Sequence, residues 1–255
     1  MKKIIIIILV LLIMTFGCDK NGPTEVKKFP DFNGNESWTE YGIEHIFEIS
    51  RSYDEDNYIF RVWLIEEPQN HEIIINNSLI SIDFEPDEPD EPDVWRGAAI
   101  LQNIAPGEAI AYNIIINEFT MNGIITIPYT ANVNWETDFT PHENFYFNWS
   151  IPAKPQLYYL GYHYSEYSEG SHISDHIQIS KNTTSYSLNE SLFLDADDYE
   201  FMMYLLPINY NYIDNDLFYA YSGYYSDEDD YLTSYDEKLN CKKHMEKIIK
   251  GILDQ

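Results

Sequence analysis

Short runs rich in isoleucine, tyrosine, phenylalanine and valine follow one another along most of the chain, with no helical periodicity between them. Seven such runs fall between residues 43 and 135, and a second series falls between residues 145 and 225. β-branched and aromatic residues favour the half-buried surface of a sheet, and turn residues separate the runs. The pattern predicts an all-β protein made of two antiparallel β-sandwich domains in tandem, followed by a short C-terminal helix.

Changes in composition divide the chain. We expect a signal peptide at 1–17, a lipidated N-terminus and polar tether at 18–36, a first β-sandwich domain at 37–136, a second at 137–232 and a C-terminal amphipathic helix at 235–253. Three residue pairs in the first domain have turn composition: Asn76 and Asn77, Pro106 and Gly107, and Asn122 and Gly123. We expect a turn at each pair.

The stretch "FEPDEPDEPDVW" at 84–95 places a proline at every third position among acidic residues. Proline fixes φ and favours polyproline II, and like charges keep the segment extended. Strands on both sides of it are needed to complete one sandwich. We therefore expect a stiff acidic loop inside the first domain, and not a linker between domains.

The second series of runs resembles a fibronectin type III-like domain, one of the immunoglobulin-like sandwiches. The resemblance rests on Trp149 in an early strand, on "SYSL" at 185–188, and on Leu194 followed by Tyr199. Such domains often place a tyrosine at the start of a late strand, and Tyr199 would hold that position. The resemblance implies a scaffold and does not imply an activity.

The first residues have the layout of a secretory signal, with Lys2 and Lys3 before an apolar run at 4–14. The run is too short to span a membrane as a helix. Gly17 and Cys18 directly follow this region, and the whole stretch resembles a bacterial lipoprotein signal. That resemblance implies acylation of Cys18 and attachment to the bacterial cell envelope, with the outer membrane or cell surface favoured. The alternative is an ordinary signal peptide with an incidental cysteine.

The charge of the chain is strongly negative, with 43 acidic against 15 basic residues and a formal net charge of −28. Such a chain repels phosphate backbones, so we exclude nucleic acid as a partner. It also repels anionic lipid headgroups. Membrane attachment is therefore expected through the N-terminal lipid.

Catalytic motifs are absent from the sequence, which has no G-x-S-x-G, no H-E-x-x-H, no phosphate loop and no glycine-rich dinucleotide turn. The sequence therefore favours a non-catalytic binding or structural module whose partner is an envelope protein or a glycan. One alternative is a glycan-active hydrolase, because any two of the many carboxylates could lie at the separation such enzymes need.

A calcium-binding adhesion module is the other alternative, since calcium takes six to eight oxygen ligands. The candidate ligands are Asp195, Asp197 and Asp198, although acidic clusters also arise as solvated loops. We expect the loops at 51–57 and 85–95 to lie at opposite ends of the sandwich, where they cannot share an ion. No other metal or cofactor is expected.

Tyrosines are abundant, and 22 of them occur in the chain. Alternate residues of a strand share a face, so Tyr219, Tyr221 and Tyr225 are expected on one side, as candidate ligand-contact aromatics. Tyrosine offers rigid contact area to sugars and proteins. The alternative is that these tyrosines cap the rim of the sandwich.

The expected C-terminal helix has an apolar stripe opposite lysines. The stripe consists of Cys241, Met245, Ile248, Ile249 and Ile252. Two interpretations stay open. The helix docks on its own acidic sandwich, or it engages a partner or a membrane.

Overall fold

The computed structural model describes residues 43–51, 57–88, 91–135, 143–166, 172–192, 199–225 and residue 252. The fold that they form is all-β, as the sequence predicts. The strands are β1 (His45–Arg51), β2 (Tyr58–Leu64), β3 (His71–Ile75), β4 (Ser78–Ile80), β5 (Glu85–Glu88), β6 (Glu91–Leu101), β7 (Ala109–Ile116), β8 (Phe119–Thr126), β9 (Asn132–Trp135), β10 (Phe145–Ser150), β11 (Leu157–Glu166), β12 (His172–Ser180), β13 (Ser185–Leu188), β14 (Tyr199–Ile213), β15 (Asp216–Tyr221) and β16 (Tyr224–Tyr225). One 3₁₀ turn lies at Glu190–Leu192.

The N-terminal half forms two facing sheets. One contains the strands in the order β1–β2–β6–β5, and the other has the order β4–β3–β7–β8. A single apolar core fills the space between them, with Phe47 and Phe60 from the first sheet and Ile114 from the second. This order corresponds to an immunoglobulin-like sandwich, in which Greek-key connections join two facing antiparallel sheets.

Two of the three turns expected in the N-terminal half are present. Asn76 and Asn77 have φ angles of 51° and 63°, as a tight hairpin between β3 and β4 requires. Gly107 has a φ of 85° in the turn before β7. The turn expected at Asn122 and Gly123 is wrong, because both residues lie inside β8.

The reason for a glycine inside β8 is the ring opposite it. Gly123 pairs with Tyr112 of β7, and a Cβ atom at Gly123 would lie 2.6 Å from the Tyr112 hydroxyl oxygen. Glycine gives the tyrosine ring room to lie across the strand. The turn itself forms two residues before β8, at Asn117, whose φ is 52°.

The described part of the acidic stretch at 84–95 forms two paired strands and not a loop, which corrects the expectation. β5 pairs antiparallel with β6, and Arg96 Nη2 lies 2.9 Å from Glu85 Oε1 across the pair. Polyproline II and β-structure are both extended, and β5 is an edge strand, the position in a sheet where proline is tolerated. This hairpin gives the N-terminal half eight described strands instead of the seven expected.

The C-terminal half confirms the fibronectin type III-like expectation. Its short sheet has the order β13–β10–β9, and the facing strands have the order β12–β11–β14, with β16 also paired to β14. Trp149 is buried in the core between them. Tyr199 begins β14, the position expected for it.

One nine-stranded sheet runs through both halves of the molecule. β15 follows β14 in a hairpin and then pairs in parallel with β1, the first strand of the N-terminal half. Phe218 and Ala220 of β15 consequently lie in the core of the N-terminal half. The domain ranges 37–136 and 137–232 stay predictions. The pairing of β15 with β1 adds that a strand from the range 137–232 joins the sheet that contains β1, β2, β6 and β5.

Part of the other face of the nine-stranded sheet is also buried. Its apolar cluster includes Trp63 from the N-terminal half, Tyr159 from the C-terminal half and Tyr219 from β15. Ile252 is helical and buried in the same cluster. The rest of the expected helix at 235–253 lies outside the described residues. Within those residues, no helix has the length and hydropathy needed to cross a membrane.

Candidate functional site

The solvent side of the three-stranded sheet β13–β10–β9 is a plane of tyrosine, asparagine and serine. We call it the Tyr–Asn–Ser face. It consists of Asn132 and Asn134 from β9, Tyr146, Asn148 and Ser150 from β10, and Ser185 and Ser187 from β13. Six of these side chains are exposed to solvent, and Ser187 is half-buried. Tyr146 is 61% exposed, an unusual degree for a large aromatic side chain.

The sequence of β10 determines which side chains face outward. In "FYFNWS" every second side chain is buried, namely those of Phe145, Phe147 and Trp149. The residues between and after them, Tyr146, Asn148 and Ser150, face the solvent. Trp149 stacks on Phe147 and meets the ring of Tyr158 edge-on, with centroids 5.4 Å apart. Slipping the register by one residue would expose these three aromatic rings, so the outward position of Tyr146 is strongly specified.

A buried tyrosine lies beneath the face. Burial raises the pKa of Tyr158 above its ordinary value of 10.0, so its phenol stays protonated under the sheet at neutral pH. The other side chains directly beneath the face, Phe145, Phe147 and Trp149, are aromatic and uncharged.

Strand pairing brings the seven side chains into one continuous surface. Tyr146 lies opposite Ser187, and Asn148 lies opposite Ser185 on one side. On the other side, Asn148 lies opposite Asn134, and Ser150 lies opposite Asn132. Neighbouring strands are about 4.8 Å apart, and alternate residues along a strand about 6.7 Å apart. The face therefore presents hydrogen-bonding groups on a regular grid, with one aromatic ring at its corner.

None of the residues in β9, β10 and β13 is charged, although the chain as a whole has a net charge of −28. Asparagine offers two donors and an acceptor, and serine offers one donor and two lone pairs. The tyrosine ring adds an apolar surface with a polar tip. This arrangement can hold a neutral, hydroxyl-rich or amide-rich ligand, and it offers no side chain for acid–base chemistry near neutral pH.

The tyrosines that the sequence singled out lie elsewhere. Tyr219 and Tyr221 do share a face of β15, where their rings stack at a centroid distance of 6.2 Å. Ligand contact would need an exposed side chain, but Tyr219 is fully buried in the apolar cluster on this side of the sheet. Tyr225 lies in β16 opposite Tyr204. Ligand contact by these three residues stays a prediction.

The hydroxyl of Tyr219 belongs to a buried polar cluster around Glu48. Glu48 accepts hydrogen bonds from Tyr219 at 2.7 Å, from Arg61 at 2.6 Å and from Ser50 at 2.7 Å. The glutamate side chain is 3% exposed, and the arginine side chain is 28% exposed. A buried carboxylate with three donors, one of them a cation, is electrostatically satisfied, so the cluster serves the packing of β1, β2 and β15.

The other predicted site residues lie outside the described residues. These are Cys18 and the candidate calcium ligands Asp195, Asp197 and Asp198. Among the residues that the structure describes, no group of three or more histidine, cysteine, aspartate or glutamate side chains is placed to hold a metal. The strand ends next to the two acidic stretches lie at opposite ends of β2, because Tyr58 pairs with Arg51 and Leu101 at one end and Leu64 pairs with Trp95 at the other. Residues 52–56 and 89–90 themselves lie outside the described residues, so the expected separation of the two loops stays a prediction.

The Tyr–Asn–Ser face itself was not predicted from the sequence. Its signal was present, because "NVNW", "FYFNWS" and "SYSL" all alternate apolar and polar residues without a charge. In a chain with 43 acidic residues, three uncharged alternating strands are informative. What the sequence did not provide was their adjacency in one sheet.

No family model matches the chain, and a search of curated proteins finds no similar sequence. Among solved structures, the chain is similar to the FN1-FN3 domains of chicken CNTN1, with 8% identity over 72% of this chain and 64% of that chain, at a TM-score of 0.29. It is also similar to the full ectodomain (Ig1-Ig3) of mouse nectin-like molecule 4, with 5% identity over 70% of this chain and 62% of that chain, at a TM-score of 0.25. The chain therefore spans a little under two thirds of the length of either structure.

Proposed function

We propose that this protein is a non-catalytic binding module of the bacterial cell envelope, held at the membrane by a lipid on Cys18. The observation that carries the binding role is the Tyr–Asn–Ser face, an uncharged and solvent-exposed plane in a strongly acidic chain. The signal pattern that ends at Cys18 supports the anchor, and the polar segment at 19–28 supports a tether between lipid and fold.

The face has the properties of a contact surface. Acidic side chains keep a protein soluble and discourage association, so an acidic protein that binds a neutral partner benefits from a region without them. An exposed tyrosine supplies contact area at low entropic cost, and asparagine and serine supply adaptable hydrogen bonds. Tyr146, Asn148 and Ser150 offer this combination along one strand.

The anchor is tested by replacing the proposed lipid acceptor. We expect Cys18→Ala to abolish metabolic labelling with palmitate and to move the protein from the membrane fraction to the soluble fraction. The reason is that a lipid chain contributes about 0.8 kcal/mol per buried CH₂ group to membrane affinity, and the acidic chain has no compensating attraction. Globomycin, which blocks processing of lipoprotein signals, should cause the precursor to accumulate.

Cys241→Ala is the matched control, because it removes the other cysteine of the chain. This variant should remain labelled and membrane-bound. A Cys18→Ala protein that is still labelled and still sediments with membranes would refute the anchor.

The binding role is tested by photo-crosslinking at the face. We expect the full-length protein with Tyr146→p-benzoyl-L-phenylalanine to form a light-dependent adduct with an envelope component in intact cells, because the substituted side chain is at the contact surface. The same substitution at Tyr212 is the control. Tyr212 is also exposed, but it lies on β14, in a different sheet. The measurement is the adduct seen by immunoblot.

Equal amounts of adduct at positions 146 and 212 would indicate nonspecific collisions. The absence of an adduct at position 146 would indicate that no envelope component binds the face. Either result would contradict a binding role for the face.

A further inference from the structure

We infer that the ligand of the Tyr–Asn–Ser face is an extended neutral polysaccharide. This inference rests on the proposed function and adds the chemical class of the ligand. Four properties of the face lead to it: its charge, its hydrogen-bonding groups, its shape and its size.

The charge of the face excludes anionic polymers. An anionic polysaccharide needs several cations along its path, and β9, β10 and β13 contain none. The lysine that follows β10, Lys154, donates to Asn182 Oδ1 at 3.1 Å. The net charge of −28 adds repulsion at longer range. A ligand without charge meets neither obstacle.

The hydrogen-bonding groups match those of a sugar. Each sugar hydroxyl both donates and accepts, and so do the three asparagine and three serine side chains of the face. The C–H side of a sugar ring is apolar and packs on an aromatic plane. Tyr146 supplies that plane at 61% exposure, beside Ser187 and two residues along β10 from Asn148.

The shape of the face favours a polymer over a free sugar. Sites for small molecules are concave and bury most of their ligand, whereas the side of a sheet contacts a ligand from one direction. Each sugar unit on such a plane contributes little. Affinity therefore accumulates over consecutive units that lie along the grid of β10 and its neighbours.

The size and composition of the face argue against a protein as the main ligand. A standard protein–protein interface uses about 20 to 30 residues on each side, and its core is rich in aromatic residues and poor in serine. The Tyr–Asn–Ser face has seven side chains, of which three are serine and one is aromatic. A polar and narrow plane of this kind fits one sugar chain better than a protein surface.

Affinity electrophoresis of the detergent-solubilised full-length protein tests the inference. Native gels would contain one of five polymers: hydroxyethylcellulose, xylan, glucomannan, glycol chitin or polygalacturonate. We expect retardation in at least one of the first four, which lack anionic backbones, and none in polygalacturonate. Tyr146→Ala should weaken the retardation by about tenfold or more, through loss of the ring contact, whereas Tyr146→Phe should retain most of it.

Tyr212→Ala serves as the matched control and should bind as the unsubstituted protein does. An unchanged thermal midpoint in Tyr146→Ala would show that the variant is folded. Three results would overturn the inference: no retardation in any of the four gels, retardation in polygalacturonate, or equal retardation of Tyr146→Ala and the unsubstituted protein. If position 146 formed a photo-adduct with an envelope protein and no gel retarded the protein, the inference of a polysaccharide ligand would be wrong, but the proposed binding role would still hold. Absence of both adduct and retardation would overturn both.

Discussion

Phe218→Ala should lower the free energy of unfolding by about 3–5 kcal/mol, as truncation of a buried phenylalanine commonly does. Phe218 is fully buried, and its ring centroid lies 4.3 Å from that of Tyr112 and 6.0 Å from that of Phe47. Both neighbours belong to the N-terminal half, whereas Phe218 belongs to β15. The loss should therefore appear mainly in the N-terminal half, more than 90 residues away in sequence from the substitution.

Hydrogen exchange on the full-length protein is the measurement, because it reports local stability along the chain. Phe218→Ala should reduce protection of the amides in β1, β3 and β7. Phe147→Ala is the matched control, since Phe147 is equally buried but lies in the other core. It should reduce protection in β10 and β13 instead. If Phe218→Ala affected only residues 143–213, β15 would not be an energetic part of the N-terminal sandwich.

Most of the strands could be predicted from the sequence, because each depends on local composition. The runs around β1, β7 and β10 agree with the structure to within a few residues. The acidic hairpin β5–β6 was missed, since proline and repeated acids normally disfavour strands. Its position at the edge of the sheet makes both tolerable, and edge position is a property of the assembled fold.

The parallel pairing of β15 with β1 could not be predicted, because it joins residues such as Glu48 and Tyr219 that are 171 positions apart. Nothing in the local sequence of β15 specifies its neighbour. The consequence for the candidate tyrosines was direct. Alternation correctly placed Tyr219 and Tyr221 on one side of the strand, but exposure depends on what covers the sheet, and Tyr219 is fully buried.

The same limit explains the Tyr–Asn–Ser face. The alternation in β10 could be read from the sequence, and so could the burial of Trp149. Adjacency of Tyr146 to Ser187 depends on the pairing of β10 with β13, which are separated by two intervening strands. Sequence alone therefore identifies the parts of the surface and not the surface.

Glu48→Ala should destabilise the protein by on the order of 3 kcal/mol, because it removes the buried carboxylate that three donors share and takes away one member of a largely buried ion pair. Glu48 accepts three hydrogen bonds, from Ser50, Arg61 and Tyr219. Arg61 keeps some access to solvent, at 28% side-chain exposure, so the loss should fall at the lower end of the usual range. Denaturant unfolding of the full-length protein measures it. Glu48→Gln, which keeps an acceptor and the side-chain shape, should cost roughly half as much.

A double-mutant cycle with Tyr219→Phe isolates the link between β1 and β15. Tyr219→Phe removes one hydroxyl, and it should cost about 1.5 kcal/mol in the unsubstituted protein, as a hydrogen bond to a charged group does, but close to zero after Glu48→Ala. Equal costs in the two backgrounds would show that the 2.7 Å contact contributes nothing to stability.

The contact between Glu48 and Tyr219 also specifies the register of β15 against β1. Glu48 lies directly opposite Tyr219 in the parallel pair, and a slip of one residue would turn the tyrosine to the other face of the sheet. Glu48 would then lose its donor from β15, and Phe218 would leave the core that it fills. The buried carboxylate and the buried phenylalanine therefore select the same alignment of β15 from opposite faces of one strand.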